Sequence, residues 1–350
     1  MANSTLSNAK SAKNDEFYTQ YHDIEKEITA YIEYDPNVFR NKIILLPCDD
    51  PEWSNFTKYF AQNFDRLGLK KLISTSYAPE SKNNQTNYHP TIFETAHPQF
   101  DEKKTIKNGK IFTLSHDNSG DGKIDVDDLD WKYLKGSGDF KSAEIKSLRD
   151  QADIIITNPP FSRFRDFLSW ILEVDKQFVI IGNMNAITYK EVFPLIKQNK
   201  VWLGATGNSN DMVFAVPEGT VVSEKDKLKA EKLGYVGNYT RLGNSCWFTT
   251  LDHGRRHQPI PLMTEADVIK FGTKKEFKIY DNYDAIEVPY VKYIPSDYKG
   301  AMGVPISFLD KYNPEQFELI KFRHGNDEKD LRFEDGTCPY FRILIKHTSI

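Results

Sequence analysis

Short apolar runs alternate with helix-like segments along the first two thirds of the chain. Apolar residues at positions 24, 28, 31 and 32 have helical spacing, and Asp35-Pro36 ends that pattern. The run Ile43–Leu46 is continuously apolar and stops at a proline, which is typical of a strand buried on both faces of a parallel sheet. A helix over residues 54–67 and a strand over 71–76 follow, so this order predicts a Rossmann-like sheet.

A polar stretch then interrupts the alternation. Residues from about 77 to 135 are predicted to form an insertion that contains a hairpin turn at 118–123. The elements predicted beyond it are helix 142–150, strand 153–157, helix 164–171, strand 178–181, helix 191–197 and strands 201–203, 212–216 and 246–250. We therefore expect the α/β alternation to continue to residue 250.

The chain divides into three parts by composition. Residues 1–13 are polar and rich in Ser, Asn, Ala and Lys, which predicts a flexible tail. Residues 14–250 carry the strand and helix alternation and form the main domain. From residue 251 to 350, Pro, Tyr and short extended runs dominate. The predicted fold class is α/β, a Rossmann-like sheet with an insertion and a smaller C-terminal lobe.

Composition excludes several classes of protein. Hydrophobic residues make up 39% of the chain and charged residues 27%, which are ordinary values for a globular protein. Cys48, Cys246 and Cys338 lie too far apart for a Cys-x-x-Cys pair, so neither a zinc site nor a disulfide framework is expected. The sequence has no apolar signal core and no apolar stretch of membrane-spanning length, so we expect a cytoplasmic protein without membrane contact.

Asn158-Pro159-Pro160-Phe161 is the clearest candidate for chemistry, because it directly follows the predicted strand 153–157. In an open α/β sheet, ligands bind beyond the carboxyl ends of the strands. This loop suits a reaction of a planar amine such as the exocyclic amine of adenine. That amine is a weak nucleophile, and acceptors that draw its hydrogens assist its attack. The side chain of Asn158 and the main-chain carbonyl of Pro159 would be those acceptors, while the two prolines hold the loop rigid.

The fourth residue of this loop, Phe161, would stack on a base flipped out of a duplex, because an enzyme that acts on a base must extract it. The competing interpretation is that Asn-Pro-Pro forms an ordinary strand-to-helix turn, since these residues are common in turns. An apolar strand before the loop and an amphipathic helix after it favour the catalytic interpretation.

Several separate segments carry a resemblance to a known family. They are residues 14–20 (NDEFYTQ), 47–56 (PCDDPEWSNF), 138–140 (GDF), 158–161 (NPPF), 247–249 (WFT) and 303–309 (GVPISFL). In these segments, which span most of the chain, the sequence resembles the EcoRI-type adenine-specific DNA methyltransferases. The resemblance implies a class I methyltransferase fold, S-adenosylmethionine as cofactor, and transfer of its methyl group to N6 of a flipped adenine at a specific site in double-stranded DNA.

The resemblance also implies a cofactor site at the segment around Tyr18 and at the turn that follows the first strand. That turn is where a Rossmann-like fold meets its cofactor, and the carboxylates there would accept hydrogen bonds from ribose hydroxyls or from the methionine ammonium group. The cofactor-binding residues predicted in this way are Tyr18, Thr19, Cys48, Asp49, Asp50, Trp53, Ser54, Thr75, Asp139, Phe140 and Asn158.

These assignments have structural alternatives. The two aspartates of the turn would also suit a helix cap, and Trp53 and Phe60 would suit the core. Asp139-Phe140 would suit a capped turn with a core phenylalanine. The chain departs from the commoner methyltransferase pattern, because it lacks a glycine-rich turn and its second strand ends in Thr75-Ser76 instead of an acidic residue.

Residues 117–125 (DNSGDGKID), with Asp128 completing the register, come close to the spacing of an EF-hand calcium loop. Asp128 is shorter than the usual bidentate Glu, and the preceding residues 110–114 have the pattern of a strand instead of an entering helix. A glycine-rich hairpin turn is therefore the favoured interpretation.

A formal net charge of -4 gives no basic surplus, so any contact with DNA must come from local basic groups. The predicted phosphate contacts are Arg163, Arg165, Arg255 and Arg256, with Lys103, Lys104, Lys107 and Lys110 as a further patch in the insertion. The alternative for each is an ordinary solvated charge.

Two other functions fit parts of the sequence. Asn-Pro-Pro-aromatic loops also serve methyltransferases that act on RNA or on protein glutamine, and the loop alone does not distinguish these acceptors. A catalytically silent DNA-binding protein with this fold would fit the acidic net charge, but the intact Asn158 and Phe161 argue against it. The recognition sequence, the oligomeric state and the existence of a companion restriction endonuclease do not follow from the sequence.

Overall fold

The computed structural model describes residues 17–49, 54–78, 94–95, 97–206, 212–217, 220–273 and 275–348. The described residues form two compact units. The first comprises the residues up to Met184 together with Thr206–Leu251, and the second comprises Asn185–Ala205 together with residues from Asp252 onward. The second unit therefore includes residues 185–205, which the sequence pattern assigned to the main domain. The predicted tail, residues 1–13, lies outside the described residues.

The strands are numbered in chain order. They are β1 (Tyr18–Thr19), β2 (Ile43–Leu46), β3 (Lys71–Thr75), β4 (Lys110–Leu114), β5 (Asp130–Tyr133), β6 (Ile154–Thr157), β7 (Gln177–Asn183), β8 (Trp202–Leu203), β9 (Val213–Ala215), β10 (Tyr239–Arg241), β11 (Ser245–Thr249), β12 (Ala285–Glu287), β13 (Ala301–Pro305), β14 (Phe317–Phe322) and β15 (Arg342–His347).

The helices are numbered in the same way. They are α1 (Tyr21–Tyr34), α2 (Asn55–Gln62), α3 (Phe64–Leu67), α4 (Glu102–Lys107), α5 (Ala143–Gln151), α6 (Phe164–Leu172), α7 (Phe193–Lys197), α8 (Glu224–Lys232) and α9 (Glu265–Asp267). Short 3₁₀ turns lie at Val126–Asp128, Phe161–Arg163, Met184–Thr188, Gly254–His257, Val291–Tyr293 and Ile306–Lys311, and a π-helical segment at Val268–Thr273. None of the described helices has the length and apolar character needed to cross a membrane.

Strands of the first unit form a mixed sheet in the order β5-β4-β3-β2-β6-β7-β11. The central strands β3, β2, β6 and β7 are parallel, whereas β4, β5 and β11 pair antiparallel at the flanks. Every residue of β6 is buried, as the apolar run predicted. Because parallel strands end at the same edge, the residues that follow β2, β3 and β6 are brought together there. The sheet and its helices confirm the α/β, class I methyltransferase fold.

The predicted strand 212–216 forms as β9, which lies outside the main sheet. β9 lies in a separate three-stranded sheet in the order β1-β9-β10, in which Ala215 is opposite both Tyr18 and Tyr239. The apolar pattern of a short strand predicts its existence but does not specify which strand it pairs with. The small sheet fixes the backbone of β1, which carries two of the predicted cofactor residues.

The glycine-rich loop of the insertion joins β4 to β5, which pair antiparallel and confirm the predicted hairpin. The carboxylate of Asp117 accepts the backbone N–H groups of Gly120 and Gly122, at 2.5 and 2.8 Å. The carboxylate of Asp128 accepts those of Asn118 and Ser119, at 2.8 and 2.7 Å. The oxygens that an EF-hand would direct at calcium therefore stabilise the loop itself.

The second unit is built on a four-stranded sheet in the order β12-β13-β15-β14. β13 and β15 pair antiparallel, with Gly303 opposite Leu344, and Leu344 packs with Tyr280, Ala285 and Leu331 in a buried cluster. These short strands agree with the extended runs that predicted a smaller lobe.

Candidate active site

The Asn158 loop leaves the sheet directly from β6 and enters α6 through the 3₁₀ turn Phe161–Arg163. Pro159 is buried, and Asn158, Pro160 and Phe161 are partly exposed. The predicted catalytic residues thus lie beyond the carboxyl end of a central strand, where an α/β sheet presents its ligand-binding groups.

The orientation of the Asn158 carboxamide follows from its partner. Its Nδ2 donates to the main-chain carbonyl oxygen of Phe17 at 2.6 Å. Because a carbonyl oxygen only accepts, the amide nitrogen must face it and Oδ1 must point elsewhere. Oδ1 is buried and has no hydrogen-bond partner among the described residues. A buried acceptor without a donor carries a free-energy cost that an entering N–H group would remove.

The loop is supported by aromatic rings that the sequence did not single out. The Phe161 ring lies 5.5 Å from that of Phe17 and 6.3 Å from that of Phe214, and the latter two rings are 6.1 Å apart. Phe17 lies in a segment that carried the family resemblance, and Phe214 lies in the predicted strand 212–216. Nothing in the linear pattern indicated that these two rings would meet Phe161.

Asp49 is a buried carboxylate just beyond β2 that connects four elements. Its Oδ1 accepts from the Ser54 hydroxyl at 2.9 Å, and its Oδ2 lies 2.5 Å from the hydroxyl of Thr157, the residue before Asn158. Its backbone N–H donates to the carbonyl of Thr75 at 2.9 Å. Ser54 also caps α2 by accepting from the N–H of Phe56. Asp49 therefore connects the ends of β2, β3 and β6 with the start of α2.

Cys48 makes the turn between β2 and Asp49. Its φ of 68° lies in the left-handed region that favours glycine, so the chain makes this turn without the glycine-rich sequence of commoner methyltransferases. Burial, with the neighbouring Asp49 carboxylate, raises the pKa of the Cys48 thiol. The thiol is therefore neutral at physiological pH and is not an activated nucleophile.

The loop that carries Asp139 and Phe140 lies against the end of β3. Gly138 has a φ of 85°, and a Cβ atom added there would lie 2.3 Å from the carbonyl oxygen of Ser76, so only glycine allows this approach. Asp139 caps the turn by accepting the N–H of Lys141 at 2.8 Å. The Phe140 ring is fully buried. This arrangement agrees with the capped turn and core phenylalanine that the sequence left open.

Tyr77, which sequence reasoning missed, lies beside this loop. Its hydroxyl accepts the backbone N–H of Phe140 at 3.4 Å. Burial raises the pKa of Tyr77, and the neighbouring Cys48 and Asp139 add to the effect. The hydroxyl therefore stays protonated and can donate a hydrogen bond at the edge of the sheet.

The fit of a methyl-donor cofactor can be tested on polar atoms that have no partner among the described residues. The buried hydroxyls of Thr19 and Thr75, at the ends of β1 and β3, are such atoms. Hydroxyl groups of this kind suit the ribose and amino-acid groups of S-adenosylmethionine. Tyr18, the other residue of β1, is partly buried, whereas Asp50 and Trp53 lie outside the described residues. The described groups at this edge therefore fit the cofactor.

The arginines predicted to contact DNA differ in their surroundings. Arg165 is exposed on the first turn of α6. Arg163 is partly exposed and pairs with Asp139 at 3.1 Å. In the second unit Arg255 donates to the carbonyl of Ala205 at 2.7 Å and pairs with Asp310 at 2.5 Å. In the insertion, Lys110 is buried against Glu94 at 2.7 Å and does not belong to the predicted basic patch, whereas Lys103, Lys104 and Lys107 are exposed on α4.

Arg256 is the most enclosed of these arginines, with 6% of its surface exposed. Its guanidinium pairs with Asp252 at 2.9 Å, bonds to Asn199 and lies over the Trp202 ring at 3.8 Å. A guanidinium held in this way stabilises the second unit and has little freedom to meet a phosphate. Its burial favours a structural role over the predicted DNA contact.

We expect Arg256→Gln to destabilise the second unit by about 1–3 kcal/mol, because it leaves buried hydrogen-bonding groups unpaired. Chemical denaturation measures this loss, with Lys311→Gln as the control that removes an exposed cation of the same unit. The salt dependence of DNA binding should not change. A fall of about one in the slope of log K against log salt, without loss of stability, would instead identify Arg256 as a phosphate contact.

Comparison with known proteins supplies independent information on this site. A family model described as adenine-specific methyltransferase EcoRI matches residues 5–348. The chain is 46% identical over 346 residues to type II methyltransferase M.EcoRI of Escherichia coli, covering 99% of this chain and 97% of that protein. It is 36% identical over 358 residues to M.MpnI of Mycoplasma pneumoniae, covering 97% and 96%. It is 33% identical over 362 residues to M.MgeORF184P of Mycoplasma genitalium, covering 98% of each. No solved structure gave a significant match.

Proposed function

The chain belongs to the EcoRI-type family of adenine-specific methyltransferases, and from this premise we propose that the carboxyl ends of β2, β3 and β6 bind S-adenosylmethionine beside the Asn158 loop. The protein is a site-specific DNA adenine methyltransferase. We propose further that its substrate is double-stranded DNA and that the methyl group is transferred to N6 of an adenine flipped out of the duplex. The observation that carries this mechanism is the buried Oδ1 of Asn158, which has no hydrogen-bond partner within the described part of the chain.

The chemistry assigned to the loop is hydrogen-bond acceptance. When bound, S-adenosylmethionine supplies an electrophilic methyl group on a sulfonium sulfur. Adenine N6 would form the new bond to that carbon as the methyl–sulfur bond breaks and the neutral thioether, S-adenosylhomocysteine, leaves with the bonding electrons. The nitrogen would then become tetrahedral and cationic, and its two hydrogens would become better donors. Asn158 Oδ1 accepts one of them and the carbonyl of Pro159 accepts the other, so both acceptors bind the transition state more strongly than the planar amine. One of the two protons is lost to solvent after transfer.

The protein holds these acceptors in place before the substrate arrives. The bond from Asn158 Nδ2 to the Phe17 carbonyl fixes the carboxamide plane, and Pro159 and Pro160 restrict the backbone on the two sides of the Pro159 carbonyl. Phe161 would hold the face of the adenine, supported by Phe17 and Phe214. Preorganisation of this kind lowers the barrier because the acceptors need no rearrangement during transfer.

The cofactor would be held by groups from separate strand ends. The hydroxyls of Thr19 and Thr75 would bond to its polar groups, and Asp139 and Tyr77 would border its adenine and ribose. The carboxylate of Asp49 is already bonded to Ser54 and to Thr157, so we assign it the support of this edge. On the DNA side, the exposed Arg165 would contact a phosphate, which positions the duplex without reading its sequence.

The experiment that tests the acceptor class is a direct comparison of acceptors. The protein is incubated with methyl-labelled S-adenosylmethionine and a mixture of duplex DNA, RNA and protein, and the three are separated and counted. Label confined to DNA is the expected result. Label in RNA or in protein glutamine, with none in DNA, would overturn the proposal and favour the other acceptors of Asn-Pro-Pro-aromatic loops.

A further inference from the structure

Two ion pairs join the Asp139 loop to the start of α6, one through Arg163 at the helix N-cap and one through Asp166 in the first turn. Asp139 Oδ2 lies 3.1 Å from Nη1 of Arg163, and Nζ of Lys141 lies 2.6 Å from Oδ2 of Asp166. Each segment therefore contributes one acid and one base, spaced so that both pairs form together. The opposite assignment of partners would place Asp139 beside Asp166 and Lys141 beside Arg163, which are like charges.

The cations of both pairs lie over the ring of Phe140. The Arg163 guanidinium carbon is 4.5 Å from the centre of this ring, and Lys141 Nζ is 5.8 Å from it. The ring itself is buried against Phe167 and Trp170 of α6, at 5.2 and 5.7 Å. An ion pair with a third of its surface in water contributes little alone, but a guanidinium fixed on a buried ring is held in one orientation.

The Asp139 side of the Asp139–Arg163 contact is attached to the proposed cofactor edge. Gly138 packs on the Ser76 carbonyl, the N–H of Ala78 donates to the carbonyl of Ser137 at 2.8 Å, and the N–H of Phe140 donates to Tyr77. The Asp139 loop is therefore attached along the segment that follows β3. Any displacement of Asp139 would change the border of the cofactor site.

The Arg163 side of this contact belongs to the turn that follows the proposed catalytic loop. The N–H of Arg163 donates to the carbonyl of Pro160 at 2.9 Å, which closes the 3₁₀ turn that begins at Phe161. The guanidinium that pairs with Asp139 thus belongs to the same rigid turn as the second proline of the loop.

We propose that Arg163 is a positioning residue that holds the catalytic loop in register with the cofactor edge through Asp139. The sequence predicted Arg163 as a DNA phosphate contact, but Asp139 and the Phe140 ring already engage its guanidinium. The inference rests on the proposed cofactor site and deepens it. It assigns the two neighbouring arginines different tasks, because Arg165 remains the phosphate contact.

The test measures cofactor binding and DNA binding separately. We expect Arg163→Gln to raise the dissociation constant and the KM for S-adenosylmethionine by about five- to tenfold, the effect of losing one partly exposed, ring-supported charge pair, and to lower kcat. Its DNA affinity should keep the wild-type salt slope. Arg165→Gln is the matched control and should lower that slope by about one while cofactor binding is unchanged.

A double-mutant cycle separates positioning from a general structural defect. The single substitutions Asp139→Asn and Arg163→Gln should each weaken cofactor binding, and the double variant should bind the cofactor little more weakly than the weaker single variant, because both changes remove the same pair and Asn keeps an acceptor oxygen for the Lys141 N–H. Arg163→Lys should keep part of the wild-type binding, since Lys keeps the charge but not the planar contact with Phe140. Additive losses in the double variant would count against the inference.

The inference is overturned if Arg163→Gln lowers the salt slope and leaves cofactor binding intact, because Arg163 would then be a phosphate contact. Cofactor binding is measured by calorimetry without DNA, so this result does not depend on methyl transfer. If the wild-type chain bound no S-adenosylmethionine, the proposed function would fail first, and the two failures are therefore distinguishable.

Discussion

Asn158→Ala is expected to lower kcat by about 10²–10³-fold, the usual effect of removing one preorganised group that stabilises developing charge. The loss should fall on kcat because the acceptor acts mainly in the transition state, while the dissociation constants for S-adenosylmethionine and for duplex DNA should change little. Single-turnover methylation of a duplex that contains the recognised adenine, with separate binding titrations, measures each quantity.

Two further substitutions at this position control for the loss of volume. Asn158→Asp retains an acceptor oxygen but cannot donate to the Phe17 carbonyl, so its activity should lie between that of Ala and that of the wild type. Asn158→Gln retains both groups on a longer side chain and should be misplaced, since shifts of about 1 Å are costly in preorganised sites. Wild-type kcat in the Ala variant would show that the carboxamide takes no part in the transfer.

Asp49→Ala is expected to destabilise the protein by about 2–4 kcal/mol, because removal of the carboxylate leaves the buried hydroxyl of Ser54 without its acceptor and loosens that of Thr157. Activity should fall as well, since Thr157 precedes Asn158, the proposed catalytic residue. Thermal or chemical unfolding measures the first effect and methyl transfer the second. Asp49→Asn, which keeps one acceptor oxygen and the volume, is the matched control and should lose less stability.

Asp49→Ala also distinguishes two roles for Asp49. The sequence predicted a direct contact with the cofactor, whereas the structure bonds both carboxylate oxygens to hydroxyls of the chain. If Asp49 contacts the cofactor without supporting the fold, Asp49→Ala should abolish cofactor binding and leave the unfolding midpoint unchanged. That outcome would refute the supporting role.

The elements that the sequence predicted well are those with a strong local signal. The short runs Ile43–Leu46 and Ile154–Thr157 have the pattern of strands buried on both faces. They form β2 and β6, which pair with each other at the centre of the sheet. Once these strands are adjacent, the position of the Asn158 loop beyond their carboxyl ends follows. The family resemblance, carried by segments in both halves of the chain, is confirmed by the match over residues 5–348.

What the sequence did not predict depends on partners distant in the chain. The pairing of β9 with β1 joins residues about 200 positions apart, and no local pattern specifies it. The burial of Arg256 depends on Asn199 and Trp202, which meet it only after folding. Asp139 and Arg163 were both identified as functional, but their contact with each other was invisible without coordinates. Charged side chains are usually exposed, so the sequence favoured solvent-exposed positions for Arg163 and Arg256.

We propose that Asn158 assists transfer of a methyl group to N6 of adenine in DNA. The most direct measurement is mass spectrometry of nucleosides from duplex DNA that has been incubated with S-adenosylmethionine and either the wild-type chain or the Asn158→Ala variant. N6-methyladenine should accumulate with the wild type and be nearly absent with the variant. Methylated cytosine instead of methylated adenine, or equal amounts of N6-methyladenine with both proteins, would contradict it.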